Sequence, residues 1–301
     1  MFRTILVPLD GSPVGEQALA AAARLARAVH ATVHLVHVHY PNSLTPIVIE
    51  TLPVIDTDLR SLAAEHERCY LEQTAQSPLL HGLDVVTTRL EGPVAETLAA
   101  HAQTIQANLI VMTTHGWSGF EYFWLGSVTE ALLRLTHTPL WIMRPGETAQ
   151  RAAQPLQRIL VPLDGSQLAE KILPVVQALA ALDNARLILA RVVDSRRSPP
   201  NPGIDNQHVE AYLQAVATRL EAQGVPTDIA VGTADQPARA LLNLSRELNV
   251  DTIALATRGQ GGWKRLMVGS TADKLIRGSP IPVLAMCPSS HETSTHRNGD
   301  G

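Results

Sequence analysis

The sequence predicts an α/β protein made of two tandem domains, each with a five-stranded parallel sheet flanked by helices. The octapeptide Ile-Leu-Val-Pro-Leu-Asp-Gly-Ser stands at residues 5–12 and is repeated without change at 159–166. In both halves, short apolar runs alternate with longer stretches of helical pattern, which is typical of parallel strands joined by crossover helices. The repeat and the alternation together predict that one structural unit occurs twice.

Small and polar residues divide the chain between the copies. We expect a first domain at 1–146, a linker at 147–155, a second domain at 156–288 and a disordered tail at 289–301. The predicted strands are 3–9, 32–38, 83–90, 108–114 and 139–144 in the first half, and 157–163, 185–193, 225–231, 251–257 and 281–286 in the second. The predicted helices are 13–29, 55–77, 93–106, 127–136, 166–182, 205–223, 236–248 and 270–277.

The spacing between equivalent residues locates a length difference between the halves. Asp10 and Asp164 are 154 residues apart, whereas Gly82 and Gly224 are 142 apart. The extra residues of the first half therefore lie before Gly82, and the proline-containing segment 40–58 is the expected carrier. A loop of this length is either a lid over a functional site or a simple surface connection, and the sequence leaves both open.

Composition limits the classes of partner. The formal net charge is −4 and no dense Lys/Arg run occurs, which argues against nucleic acid or a membrane surface as the main partner. The two cysteines, Cys69 and Cys287, stand at non-equivalent positions, so no disulfide framework is expected. Without a signal-peptide pattern or an apolar stretch long enough to span a membrane, we expect a cytoplasmic location.

Two segments in each half are predicted to meet at the carboxyl edge of the sheet, where open α/β sheets bind ligands. The first strand ends in an acid, Asp10 or Asp164. The fourth strand is followed by Gly-x9-Gly-Ser, which is Gly116…Gly126-Ser127 in one half and Gly259…Gly269-Ser270 in the other. The closing Gly-Ser opens a helix, whose free N–H groups favour anions. Alternatively, the glycines serve only the turn and the serines only cap the helix.

These residues carry a resemblance to a known family. The strand Ile-Leu-Val-Pro-Leu-Asp-Gly-Ser, the Gly-x9-Gly-Ser loop and the closing apolar strand are similar to those of universal stress proteins, through nearly all of both halves. The resemblance implies a Rossmann-like, adenine nucleotide alpha hydrolase-like fold with strand order 3-2-1-4-5. It also implies ATP as ligand in some members, with or without Mg²⁺, and none in others. It further implies pairing through the last strand, here between the two domains, and the option of a homodimer.

The resemblance assigns nucleotide-binding positions in each half. In the first half these are Pro8, Leu9, Asp10, Val38, Met112, Thr113, Gly116, Gly126, Ser127 and Val128. In the second half they are Pro162, Leu163, Asp164, Val192, Leu255, Ala256, Gly259, Gly269, Ser270 and Thr271. The chain departs from the family's Gly-x2-Gly-x9-Gly-Ser/Thr pattern at Thr113 and Ala256, which replace its first glycine. A side chain at this position limits how closely the backbone can approach a phosphate. The small Ala256 limits it less than Thr113 does, so the second site matches the family's pattern better.

Other features give weaker hypotheses. His30, His34, His37 and His39 form a cluster without a nearby acidic or cysteine partner, which favours isolated histidines over a metal site. Five aromatic residues at 117–124 either shield a ligand, dock a partner or pack their own loop.

Catalysis has little support, because no nucleophile or Walker-type motif occurs. The preferred hypothesis is a non-enzymatic stress-response sensor or regulator with two ATP-binding domains. Its rivals are a nucleotide-free interaction scaffold and, resting only on His115, a slow ATPase.

Overall fold

The computed structural model describes residues 2–40, 55–114, 125–196, 202–257 and 268–288. Within α2 and α8, defined below, the side chains are described from residues 61 and 207 onwards. The predicted tail 289–301 and most of the segment 40–58 lie outside the described residues, as does the aromatic run at 117–124.

Each half alternates strands with helices in the order that the sequence predicts. The first half contains β1 (Thr4–Leu9), α1 (Ala18–Val29), β2 (Thr32–His39), α2 (Ile55–Ala75), β3 (Val85–Glu91), α3 (Val94–Thr104), β4 (Leu109–Thr113), α4 (Ser127–Leu135) and β5 (Leu140–Met143). After α5 (Glu147–Ala152), the second half contains β6 (Arg158–Pro162), α6 (Gln167–Glu170), α7 (Leu173–Asp183), β7 (Arg186–Asp194), α8 (Pro202–Glu221), β8 (Thr227–Ala234), α9 (Pro237–Glu247), β9 (Thr252–Ala256), α10 (Ser270–Gly278) and β10 (Val283–Met286).

The first helix of each half differs from its predicted form. The predicted helix 13–29 begins as a separate 3-10 turn, Gly15–Gln17, and the predicted helix 166–182 is split into α6 and α7. In the second half, Pro174 lies in the first turn of α7, where its missing N–H costs least, and this favours a new helix start there. The predicted linker 147–155 includes α5, which buries Ala149 and Ala152.

All ten strands form one sheet in the order β3-β2-β1-β4-β5-β10-β9-β6-β7-β8. Within each half the strands are parallel and follow the order 3-2-1-4-5. The two halves meet at β5 and β10, which pair antiparallel with Ile142 opposite Val283 and Leu140 opposite Ala285. The predicted α/β fold class, with two tandem five-stranded units, is confirmed.

Two apolar layers, one on each face of the sheet, extend across both halves. The first layer packs α1, α2, α7 and α8 against one face, with Trp141 fully buried near its centre. The second layer packs α3, α4, α9 and α10 against the other face. Because side chains alternate along a strand, consecutive residues of each buried strand pack into different layers. Leu6 and Val7 of β1, for example, belong to the second and the first layer respectively.

Polar contacts join the two halves beside the β5–β10 pairing. Arg24 of α1 donates to Asp183 of α7 over 2.7 Å, and its guanidinium lies 5.7 Å from the centre of the Trp141 ring. On the other face, Arg277 of α10 donates to Glu130 of α4 over 3.0 Å. Both faces of the junction therefore carry an ion pair between the halves.

Candidate functional site

In each half, the first and fourth strands diverge towards their carboxyl ends. The β1–β4 pairing covers Ile5 with Leu109 and Leu6 with Ile110, whereas β1 continues to Leu9. The β6–β9 pairing is equally short, joining Ile159 to Thr252 and Leu160 to Ile253. The strand order reverses at this point of the sheet, which is where open α/β sheets hold ligands. We call the space beyond β1 and β4 the first crevice and that beyond β6 and β9 the second crevice.

Asp10 forms one side of the first crevice and is fixed by a tight turn. Its Oδ1 accepts hydrogen bonds from the Ser12 amide over 3.0 Å and from the Ser12 hydroxyl over 2.6 Å. The Ser12 hydroxyl oxygen in turn accepts from the Gly15 amide over 3.0 Å. Gly11 makes the turn possible because its φ is +82°, in the left-handed region that glycine tolerates. The turn leaves the Asp10 carboxylate exposed.

The second crevice reproduces this turn. Asp164 accepts from the Ser166 amide over 3.0 Å and from its hydroxyl over 2.6 Å, and Ser166 accepts from the Ala169 amide over 3.1 Å. Gly165 has a φ of +84°. The repeated Asp-Gly-Ser is thus first of all a structural turn that presents the aspartate, and in the second half its serine also caps α6.

The N-terminus of α4 forms the other side of the first crevice. Gly126 is its N-cap residue, and a Cβ built there would lie 2.3 Å from the backbone oxygen of Thr114, at the end of β4. Only glycine therefore allows the helix to start this close to the strand. No side-chain hydrogen bond from a described residue caps α4, and Ser127 is its exposed first residue. Ser127 thus follows the capping position and does not fill it.

The second crevice has the same arrangement with more space. The Gly269 amide donates to the backbone oxygen of Thr257 over 2.8 Å, and a Cβ on Gly269 would lie 3.3 Å from that oxygen. Within the described part of the chain, α10 also has no side-chain cap, and Ser270 and Thr271 are exposed in its first turn.

An apolar surface lines each crevice between the acid and the helix. Val38 and Met112 are buried in the second layer together with Leu125, just before α4. Leu255 is buried and Val192 half-buried at the equivalent positions of the second half. Leu9 and Leu163, by contrast, pack into the first layer on the opposite face. Only the backbone of these two leucines can therefore face a ligand.

The remaining predicted residues fall into three groups. Pro8, Pro162, Val128 and Ala256 are half-buried close to the crevices, and Thr113 is buried. Thr113 follows Met112 on β4, so its side chain points to the opposite face of the sheet, the one covered by α1. Gly116, Gly259 and His115 lie outside the described residues.

A half-buried tyrosine–glutamate pair beside each aspartate was missed by the sequence analysis. The Tyr212 hydroxyl of α8 donates to Glu170 of α6 over 3.0 Å, and Arg219 donates to the same carboxylate over 2.6 Å. Tyr70 and Glu16 occupy the equivalent positions beside Asp10. The signal was present, because Glu16 and Glu170 are 154 residues apart, as the aspartates are, and Tyr70 and Tyr212 are 142 apart, as Gly82 and Gly224 are.

Burial raises the pKa of both tyrosines, and the negative charge of the neighbouring glutamate raises it further. The aspartate at the strand end contributes in the same direction in each half. Both phenols therefore remain protonated at neutral pH, so that Tyr212 acts as a donor. In the second half, this hydrogen bond joins α8 to α6, the helix that follows the aspartate turn.

The histidine cluster has an acidic partner, so the sequence analysis was wrong on this point. Glu67 of α2 accepts from His39 Nδ1 over 2.7 Å and lies 3.6 Å from His37 Nε2. Arg89 of β3 also donates to Glu67, over 2.7 Å. The second half has Val209 at the position of Glu67, so this network belongs to the first half alone. No group of three or more metal-ligating side chains is found within the described ranges.

We expect Glu67→Gln to lower the free energy of unfolding at neutral pH by about 1 kcal/mol, because charge-assisted hydrogen bonds to His39 and Arg89 are weakened. These bonds and the nearby histidines outweigh burial and hold the pKa of Glu67 below 4.5, its ordinary value. The stabilisation is therefore complete above that value and is lost as the pH falls through the lower pKa of the folded state. Chemical denaturation at a series of pH values measures both effects. Glu65→Gln, on the exposed face of the same helix, is the control, and an equal loss in both variants would contradict the prediction.

An open surface cleft of about 450 Å³ lies elsewhere, between the end of α2 and β3. Its lining includes Glu72, Leu80, His81 and Val85. It is separate from the strand ends and shares no residue with either crevice. The shape of this cleft alone does not indicate a ligand or a reaction.

The two crevices define a class of protein: a tandem α/β protein in which each unit has an acidic strand end at the same sheet edge as a helix N-terminus that no described side chain caps. The profile of the universal stress protein family matches residues 1–144 and again 155–286. The chain belongs to the universal stress protein family, with two copies of its domain in tandem.

Sequence relatives and a solved structure agree with this assignment. The universal stress protein Rv2623 of Mycobacterium tuberculosis is 27% identical over 289 residues, which cover 93% of this chain and 95% of that protein. The single-domain universal stress protein YxiE of Bacillus subtilis is 31% identical over 149 residues, 48% of this chain and 100% of that protein. The crystal structure of a universal stress protein from Archaeoglobus fulgidus superposes with a TM-score of 0.73 at 23% identity, covering 95% of this chain and 99% of that one. That likeness concerns the fold.

Among the helices in the described ranges, none is both long enough and apolar enough to cross a membrane.

Proposed function

We propose that the protein binds an adenine nucleotide, ATP in the first instance, in each crevice and acts as a non-catalytic regulator in the stress response. The observation that carries this proposal is the pairing, in both halves, of a strand-end aspartate held in a turn with a helix whose first N–H groups have no side-chain cap from the described residues. Family membership supports the proposal, because each half departs from the family's glycine pattern at only one position and keeps the rest of it.

The helix N-termini suit the phosphates. No side chain of the described residues caps the first amides of α4 and α10, and the helix dipole adds partial positive charge at the same end. Ser127 and Ser270 are exposed beside these amides and can donate to a phosphate oxygen. Gly126 and Gly269 bring the backbone of each helix against the end of the fourth strand, so the phosphates would lie near the bottom of the crevice.

The nucleoside suits the opposite side. Val38 and Met112 offer an apolar surface to an adenine ring, and the exposed Asp10 carboxylate can accept from its amino group or from a ribose hydroxyl. Leu255 and Asp164 are their equivalents in the second crevice. Mg²⁺ would bridge phosphate oxygens when ATP is the ligand.

A stripped-protein titration tests the proposal. The purified full chain is denatured, released small molecules are separated on a nucleotide column, and the refolded apoprotein is titrated with ATP, ADP and AMP, with and without Mg²⁺. We expect two nucleotides per chain at saturation. No released nucleotide, together with no binding below millimolar concentration, would overturn the proposal and leave an interaction scaffold of the same fold.

We expect Ser270→Ala to weaken ATP binding at the second site by about tenfold, the effect of losing one hydrogen bond to a charged group. The melting temperature should stay unchanged, because Ser270 follows the capping position. Ser166→Ala is the matched control, since Ser166 caps α6 and its loss should cost about 1 kcal/mol of stability. Calorimetric titration and thermal melts of both variants measure the two effects. A purely capping role of Ser270 would appear as a lower melting temperature with unchanged affinity.

A further inference from the structure

Histidines are concentrated in the first domain, and the proposed nucleotide sites do not use them. Nine of the twelve histidines lie within residues 1–144, whereas residues 155–286 contain only His208. Strand β2 carries histidines towards both faces of the sheet. His37 and His39 face α2 and its Glu67, and His34 faces α3 on the other side.

His34 and His101 of α3 form a half-buried pair. Their ring centroids are 6.5 Å apart in an edge-on arrangement, with an angle of 61° between the ring planes. His34 Nδ1 and His101 Nε2 are both inaccessible to solvent, and neither has a hydrogen-bond partner in the described part of the molecule. A buried polar nitrogen without a partner destabilises a fold, and a protonated one does so far more.

The groups around this pair offer little compensation for a positive charge. In register with His34, the neighbouring strands place Leu6 of β1 and Val86 of β3. Asp84, just before β3, is the charged group whose field reaches His34, and it already accepts from the Thr32 hydroxyl over 2.6 Å. From α3 the facing titratable group is His101 itself.

Burial lowers the pKa of His34, and Asp84 offsets this only in part. Burial also lowers the pKa of His101, and the charge of a protonated His34 would lower it further. Both rings are therefore neutral in the closed structure and take up a proton more readily once α3 separates from β2. The stabilisation that depends on neutral rings is complete above the ordinary histidine pKa of 6.5 and is lost as the pH falls below that value.

The second domain contains the same packing without the histidines. Ile188 occupies the position of His34, 154 residues later, and Leu244 of α9 occupies that of His101, 143 residues later. Both side chains belong to the apolar second layer. The molecule thus carries a pH-insensitive version of the same strand–helix contact beside the sensitive one.

We propose that the His34–His101 pair makes the contact between α3 and β2 acid-sensitive, so that α3 opens locally in mild acid while α9 stays closed. Single elements of a fold can open at a lower free energy than global unfolding requires. Histidine is the residue whose charge changes in the range between neutral and mildly acidic conditions.

The opening also affects nucleotide binding in the first crevice, and this part of the inference rests on the proposed function. Val38 lies four residues after His34 on the same face of β2, and it packs in the same layer as Leu98 and Ala102 of α3. Separation of α3 therefore removes the support beneath the apolar side of the first crevice. Acid should weaken nucleotide binding there and leave the second crevice unchanged.

Amide hydrogen exchange of the nucleotide-free full chain tests the opening itself. Peptides from α3 and α9 are compared at about pH 7.5 and about pH 5.5, with exchange corrected for the intrinsic pH effect. We expect α3 to lose protection in acid while α9 keeps it. In His34→Ile/His101→Leu, which carries the residues of the second domain, the loss in α3 should disappear. The single variant His101→Leu provides the same test if the double variant folds poorly.

His81→Asn, an exposed histidine of the same domain, is the control and should behave like the unaltered chain. Equal changes in α3 and α9, or an acid effect that persists in the double variant, would overturn the proposal. Because this experiment uses no nucleotide, its result is independent of the titration that tests the proposed function. If both sites bind ATP, repeating that titration at the two pH values then measures the selective loss at the first crevice.

Discussion

Asp183→Ala is expected to lower the free energy of unfolding by about 3–5 kcal/mol, the cost of leaving one partner of a buried ion pair unpaired. Asp183 and Arg24 expose only 11% and 15% of their side chains. Asp183 also accepts from the Leu156 amide over 2.8 Å, so the substitution leaves a second donor unpaired. Arg24 Nε and Nη2 are already buried and have no acceptor among the described residues, so the guanidinium has no alternative partner there. Chemical denaturation monitored by circular dichroism measures the loss.

The repeat supplies the matched control for this prediction. The positions equivalent to Arg24 and Asp183 hold Ala178 and Val29 in the opposite halves. We expect Arg24→Ala/Asp183→Val to recover most of the stability, because apolar replacement of a buried ion pair is often neutral. Asp228→Ala, which breaks the exposed pair with Arg186, should cost less than about 1 kcal/mol. Similar losses for Asp183 and Asp228 would show that the junction does not depend on the buried pair.

Gly126→Ala is expected to destabilise the chain by about 1–3 kcal/mol, the usual cost of overpacking. The new Cβ would stand 2.3 Å from the Thr114 oxygen, which is backbone and cannot rotate away. The start of α4 must therefore move, and its amides no longer converge on a phosphate in the first crevice. We expect ATP affinity at that site to fall by about tenfold or more, as one or more charge-assisted hydrogen bonds are lost. Thermal melts and calorimetric titration measure the two effects.

Gly269→Ala is the internal comparison. Its Cβ would lie 3.3 Å from the Thr257 oxygen, a distance that a small shift relieves. We expect a smaller loss of stability and of affinity at the second site than Gly126→Ala causes at the first. A bulkier residue at 269 should abolish binding at the second site. Equal effects of the two alanine variants would contradict the role assigned to the close approach at Gly126.

The sequence predicted the fold well because two independent signals agreed. The repeat indicated two equivalent units, and the apolar runs indicated ten strands, all of which are present. The break after the first strand was not predicted, because the helical pattern continues through Gly15–Gln17 and through Pro174. There the hydrogen bonds of the Asp-Gly-Ser turn, which are not visible as a periodicity, decide the local geometry.

The candidate site was predictable where its residues follow the ends of parallel strands, and it was missed where they lie on the face of a helix. Asp10 and Gly126 could be assigned to one edge of the sheet because both follow parallel strands. Glu67, by contrast, lies on a helix whose facing side depends on the long segment before it. Its contact with His39, 28 residues earlier, required the structure. Ser127 shows a further limit of prediction from sequence. A serine that follows a glycine at a helix start can be either the N-cap residue or the first residue of the helix.

The antiparallel join between β5 and β10 has a consequence for how the molecule can be used. It points the carboxyl ends of the two sets of strands in opposite directions, so the two proposed binding sites open at opposite poles of the sheet. A single nucleotide therefore cannot occupy both proposed sites. Tandem duplication in this geometry thus places the two proposed sites far apart on one continuous sheet.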